Sequence, residues 1–84
     1  MTDYGYVFST NLHAKLKEKV VGKVFVRLTY NDELYIRIES FGNIRYETRF
    51  VKFSEQLVNG VSTDYIAYQV IEEYKKNIIK KYLK

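Results

Sequence analysis

Residues 23–51 alternate apolar and polar side chains with only two interruptions. Side chains on an extended strand point to opposite faces in turn, so this period of two marks strands and rules out a helix over the stretch. Three segments carry the pattern: 23–29 (KVFVRLT), 33–40 (ELYIRIES) and 44–51 (IRYETRFV). All are rich in the β-branched and aromatic residues that suit a pleated surface. The interruptions, Tyr30-Asn31-Asp32 and Phe41-Gly42-Asn43, read as three-residue hairpin loops, each with an Asp or Asn for the left-handed position. The expectation is a three-stranded antiparallel meander.

Parity then sorts the side chains. The even positions Val24, Val26, Leu28, Leu34, Ile36, Ile38, Ile44, Tyr46 and Phe50 are apolar, with Thr48 the exception, and predict one buried face. The odd positions predict an open one. Charge fixes the register. Pairing Ser40 with Ile44 sets Glu39 against Arg45, Arg37 against Glu47 and Tyr35 against Arg49; a shift of two sets Arg37 against Arg45. Opposite charges across strands help by roughly 0.2–1 kcal/mol and like charges hurt, so the first register is expected. The same test on the first hairpin sets Arg27 beside Tyr35 and Phe25 beside Arg37.

Helical patterns flank the meander. Over 9–21, Leu12, Leu16 and Val20 form a narrow stripe, with Ser9 or Thr10 as N-cap, Lys15, Lys17 and Lys19 around it, and Gly22 at the exit. Residues 54–59 read as a single helical turn stopped by Gly60. Ser62 or Thr63 then opens a long helix whose core stripe is Ala67, Ile71, Tyr74, Ile78 and Tyr82. Residues 1–8 (MTDYGYVF) read as an arm or a short edge strand. The fold class is α+β: one domain over 1–84, ordered α-β-β-β-α, both helices on the apolar sheet face.

Composition removes several kinds of chemistry. Zero Cys excludes disulfides and thiolate sites, and the single His13 excludes multi-His zinc motifs. No Gly-rich phosphate loop, carboxylate cluster or EF-hand spacing is present, and the only neighbouring carboxylates are Asp32-Glu33 and Glu72-Glu73. The reading is non-enzymatic, with no cofactor and no metal. The N-terminus lacks a basic stretch followed by an apolar run, and no segment is long and apolar enough to span a bilayer, so a cytoplasmic protein is expected. Residue types with AT-rich codons (Phe, Tyr, Ile, Asn, Lys) far outnumber Gly, Ala, Arg and Pro, which points to an AT-rich genome such as a low-GC bacterium or its phages.

The net charge of +4 is unevenly placed. Arg27, Arg37, Arg45 and Arg49 all fall on the odd strand face with Phe25 and Tyr35, and every Lys except Lys23 lies elsewhere. Arg and aromatic residues dominate interface hot spots, and the planar guanidinium forks onto carboxylate and phosphate. These six residues are the candidate docking face. The plain alternative is a solvated face whose Arg residues pair with Glu39 and Glu47, leaving Arg27 and Arg49 without an evident partner. A second basic patch, Lys75, Lys76, Lys80, Lys81 and Lys84, suits either phosphate contacts or the helix dipole, with Glu72–Lys76 as an i,i+4 pair. Tyr65, Tyr68 and Ile79 beside the long helix's stripe, with Tyr4, Tyr6 and Phe8, offer a homodimer seam or simply the edge of the core.

The α-β-β-β-α order resembles that of the double-stranded RNA-binding domain. That family's basic cluster at the start of the last helix is absent from 61–67 (VSTDYIA), and its basic first loop is replaced by Tyr30-Asn31-Asp32. Over 9–84 the pattern is also similar to small orphan proteins of phages and mobile elements of low-GC Gram-positive bacteria, some of which inhibit CRISPR nucleases. That resemblance implies an inhibitor or adaptor docking on a host protein or nucleoprotein. The other functions carried forward are a nucleic-acid-binding module, using the sheet Arg residues and the Lys-rich helix end, and a small homodimeric structural protein.

Overall fold

The alternating stretch forms the sheet that period two dictates. A computed structural model describes residues 4–42 and 44–82, with side chains over 6–42 and 44–80. Strands β1 (Lys23–Leu28), β2 (Leu34–Ser40) and β3 (Ile44–Phe50) form one antiparallel sheet in the order β1-β2-β3. Helix α1 (Tyr4–Lys19) precedes it; a short α2 (Phe53–Val58) and a long α3 (Thr63–Tyr82) follow. This is a single α+β domain with the expected α-β-β-β-α plan and α2 as the extra turn. None of the helices among the described residues is long and apolar enough to cross a membrane.

The register is the one charge selects. Phe25 pairs with Arg37, Arg27 with Tyr35, Tyr35 with Arg49, Arg37 with Glu47, Glu39 with Arg45 and Ser40 with Ile44. Thr29 N–H donates to the Glu33 carbonyl at 2.9 Å, so the first loop is again three residues, with Asp32 left-handed at φ 60. In the second loop Phe41 (φ 53) and Gly42 (φ 78) take the positive angles; Asn43, expected there, lies outside the described residues. Asp32 has a further role that the sequence did not signal. Its carboxylate accepts from Ser54 N–H and Oγ at 3.0 and 2.6 Å, and so supplies the side-chain cap that Lys52, the N-cap of α2, lacks.

Residues 4–8 are helix, which corrects the arm or edge strand; residues 1–3 lie outside the described residues. The reason is Phe8, which extends the stripe one turn back as Phe8, Leu12 and Leu16, all buried. Ser9 is therefore inside the helix, its Oγ donating to the Tyr6 carbonyl at 2.9 Å rather than capping. Phe8 meets Phe53 edge-on, ring centroids 5.0 Å apart, while Tyr6 stays exposed, so these two do not share a seam. At the exit Gly22 has φ 131, and a Cβ there would stand 2.1 Å from the Glu39 carbonyl oxygen.

Both long helices cover the even face. Leu34, Ile36 and Ile38 of the central strand are fully buried against Leu12, Leu16, Ile66 and Val70. Cover thins toward the edges: Val26, Tyr46 and Phe50 are half-buried and Leu28 is exposed, so the even face is a complete core only along β2. Ser40, the one buried polar residue described, joins β2 to α3 and to the loop before β1. Its Oγ donates to the Val21 carbonyl and accepts from Tyr74 Oη at 2.5 Å. The expected cap of α3 is Ser62, whose Oγ accepts from Tyr65 N–H at 3.0 Å.

Candidate functional site

Among the described residues no helix lies over the odd face, and its side chains order one another. Arg37 lies over Phe25, the guanidinium carbon 4.4 Å from the ring centroid, and Arg49 lies over Tyr35 at 5.3 Å. Both stacks follow from direct cross-strand pairing, which brings opposed Cβ atoms to roughly 5 Å. Arg37 Nε stands 3.2 Å from Glu39 Oε2, an approach too oblique for a hydrogen bond, so this buried N–H forms an ion pair without an acceptor.

Glu47 is the hub on the β3 side. Tyr35 Oη donates to its Oε2 at 2.7 Å and Arg45 Nη2 donates to the same oxygen at 3.0 Å. Both favour the carboxylate, so the Tyr35 hydroxyl first and Arg45 second hold Glu47 below its ordinary range. The Arg45 guanidinium is raised by the same bond to Glu47. Arg49 Nε pairs with Glu33 Oε1 at 3.7 Å, which corrects the expectation that Arg49 lacks an acidic neighbour. Glu33 sits just before β2 and reaches Arg49 diagonally, one pair removed from direct opposition. Arg27 has no acidic partner among the described residues, and a cleft of about 480 Å³ beside it is lined by His13, Phe25, Tyr35 and Arg37. The His13 ring is occupied: Nε2 donates to the Val24 carbonyl at 3.0 Å and tethers α1 to β1.

Phe25, Arg27, Tyr35, Arg37, Arg45 and Arg49 thus form one surface. The lysine patch does not join it. Lys75, Lys76 and Lys80 are exposed on α3, across the sheet from the Arg side chains; the Lys81 and Lys84 side chains lie outside the described ones. Lys76 pairs with Glu73 at 3.9 Å, not with Glu72 as the spacing suggested. Tyr74 meets Ser40 at the end of β2, and Ile78, a turn further on, still packs against the core.

Tyr65, Tyr68 and Ile79 are exposed, as their places beside the stripe imply. Tyr68 also lines a cleft of about 410 Å³ between α3 and β3, with Tyr46, Thr48, Phe50 and Glu73. Burial, and then the charge of Glu73, raise the Tyr46 phenol above its ordinary range. No protein-family model, curated protein or solved structure matches this chain.

Proposed function

We propose that this protein is a non-enzymatic binding module that docks on another protein through its odd sheet face. The observation that carries this reading is the pair of guanidiniums over rings, Arg37 on Phe25 and Arg49 on Tyr35, on a face that no helix among the described residues covers. Stacking and ion pairing hold long side chains in place before a partner arrives, which lowers the ordering cost of an interface. Arg27 stands among them with no acidic partner among the described residues and is the natural donor to a partner carboxylate.

Glu33, Glu39 and Glu47 offset three of the arginines, so the face is mixed in charge rather than a phosphate track. The lysine patch on the far side adds nothing to it. Both points favour a protein partner over nucleic acid. The resemblance to small phage and mobile-element proteins extends the proposal: the partner is a host protein, alone or in a nucleoprotein such as a CRISPR nuclease complex, and the site of action is the cytoplasm.

Arg27→Glu tests the reading on β1. Compared with the wild type as bait in a host lysate, the variant should lose its captured protein while its unfolding curve is unchanged. Equal capture by both baits would overturn the assignment of this face. Tight binding of DNA or RNA with a steep salt dependence, weakened by the same substitution, would replace the protein partner with a nucleic acid.

A further inference from the structure

The sheet has two edges, and they are treated differently. On β1, His13 takes up the Val24 carbonyl. On β3, none of the described backbone hydrogen bonds outside the helices and strands involves Ile44–Phe50, so among the described residues its outer edge has no backbone partner. That edge is a regular seven-residue strand with no Pro, no Lys and no break in its pairing to β2. Such an edge is a template for a further strand unless something blunts it.

β3 is complementary to itself. In an antiparallel pair of β3 strands, an odd offset sets Arg45 against Phe50 and Tyr46 against Arg49, charge against ring. Symmetric registers centred on a residue keep the apolar faces together. Centring on Glu47 opposes two carboxylates and sets Arg45 against Arg49. Centring on Tyr46 pairs Arg45 with Glu47, but its other contacts are Tyr46 with Tyr46 and Ile44 with Thr48. Centring on Thr48 pairs Glu47 with Arg49 twice, Tyr46 with Phe50 twice and Thr48 with Thr48. Opposite charges, aromatic pairs and Thr–Thr pairs are the three favourable kinds of cross-strand contact, and only this register supplies all three. Its even-face members Tyr46, Thr48 and Phe50 are half-buried and line the open cleft under Tyr68, where side chains of a second strand have room.

We infer that a second copy of this chain pairs with β3 about a two-fold axis at Thr48, making one continuous six-stranded sheet with both odd faces on the same side. This is an isologous interface, closed by its own symmetry. It moves the homodimer seam from Tyr65, Tyr68 and Ile79 to the strand edge, with Tyr68 as its flank. It is independent of what the odd face binds.

Sedimentation equilibrium of four purified proteins decides it: wild type, Thr48→Lys, Glu47→Arg and Arg49→Glu, each checked for fold by circular dichroism. The wild type should sediment as a dimer. Each variant should weaken association at least about tenfold, since like charges then oppose each other twice, or two lysines meet at the axis. Mixing Glu47→Arg with Arg49→Glu should restore a dimer holding one of each, because that combination re-pairs both contacts of the Thr48 register, whereas each alternative still sets one Arg against another. A monomeric wild type, variants that still dimerise, or a mixture that stays monomeric would overturn the proposal. Thr48→Lys removes none of the ion pairs, so it decides the matter even where a charge reversal unfolds the chain.

Discussion

The two faces of this sheet come from the same strands, yet they are ordered in opposite ways. On the even face, Leu34, Ile36 and Ile38 are sealed by two helices, and their hold is non-directional burial. On the odd face, Arg37, Arg45 and Arg49 are aimed by rings and carboxylates that stay in contact with water. Burial of an Ile or Leu contributes roughly 1.5–3 kcal/mol, whereas an exposed ion pair contributes about 0–1. The lesson is a division of labour: one face supplies stability, and the other is free to be shaped for a partner.

That division can be broken by substitution, and the largest effect belongs to the covered face. Ile36→Ala should cost about 2–5 kcal/mol in urea unfolding, while Arg37→Ala on the open face should cost less than about 1. Comparable losses at the two positions would erase the distinction. Next comes Ser40, the polar exception in the core. Ser40→Ala should cost about 1–3 kcal/mol, and combining it with Tyr74→Phe should cost less than the sum, because the two hydroxyls satisfy each other.

Smaller effects sharpen the picture of the open face. A double-mutant cycle over Phe25→Ala and Arg37→Ala should give a coupling of roughly 0.5–1 kcal/mol, the worth of a partly exposed cation–π stack. The slightest change concerns protons. Glu47 is held low in the fold, so its contribution to stability is present above the ordinary carboxylate range and is lost as pH falls through its folded midpoint. NMR titration should place that midpoint below that of an ordinary glutamate, and Tyr35→Phe should move it up by removing the leading cause.

Much of this was legible in the sequence because it rests on local rules. Period two located three strands, charge opposition selected both registers, and loop chemistry placed Asp32 at its positive φ. The six-residue face followed from parity alone. What escaped the sequence depends on reach in three dimensions. Glu33 finds Arg49 on a diagonal, Asp32 caps α2 twenty-two positions away, and Phe8 turns an apparent arm into helix by meeting Phe53. Side-chain choice was equally hidden: Arg37 stands opposite Glu47 in the ladder but turns to Glu39 and Phe25.

The central claim is that the odd face, not the lysine-rich helix end, meets the partner. A photo-crosslinking residue placed at Lys23, on the rim of the Arg face, can be compared with one at Lys80 on α3, both exposed positions on opposite sides of the sheet. After irradiation in a host lysate, the residue at position 23 should give a discrete protein adduct that disappears when Arg27→Glu is added, and the residue at position 80 should give none. An adduct from position 80 with none from position 23 would contradict the account.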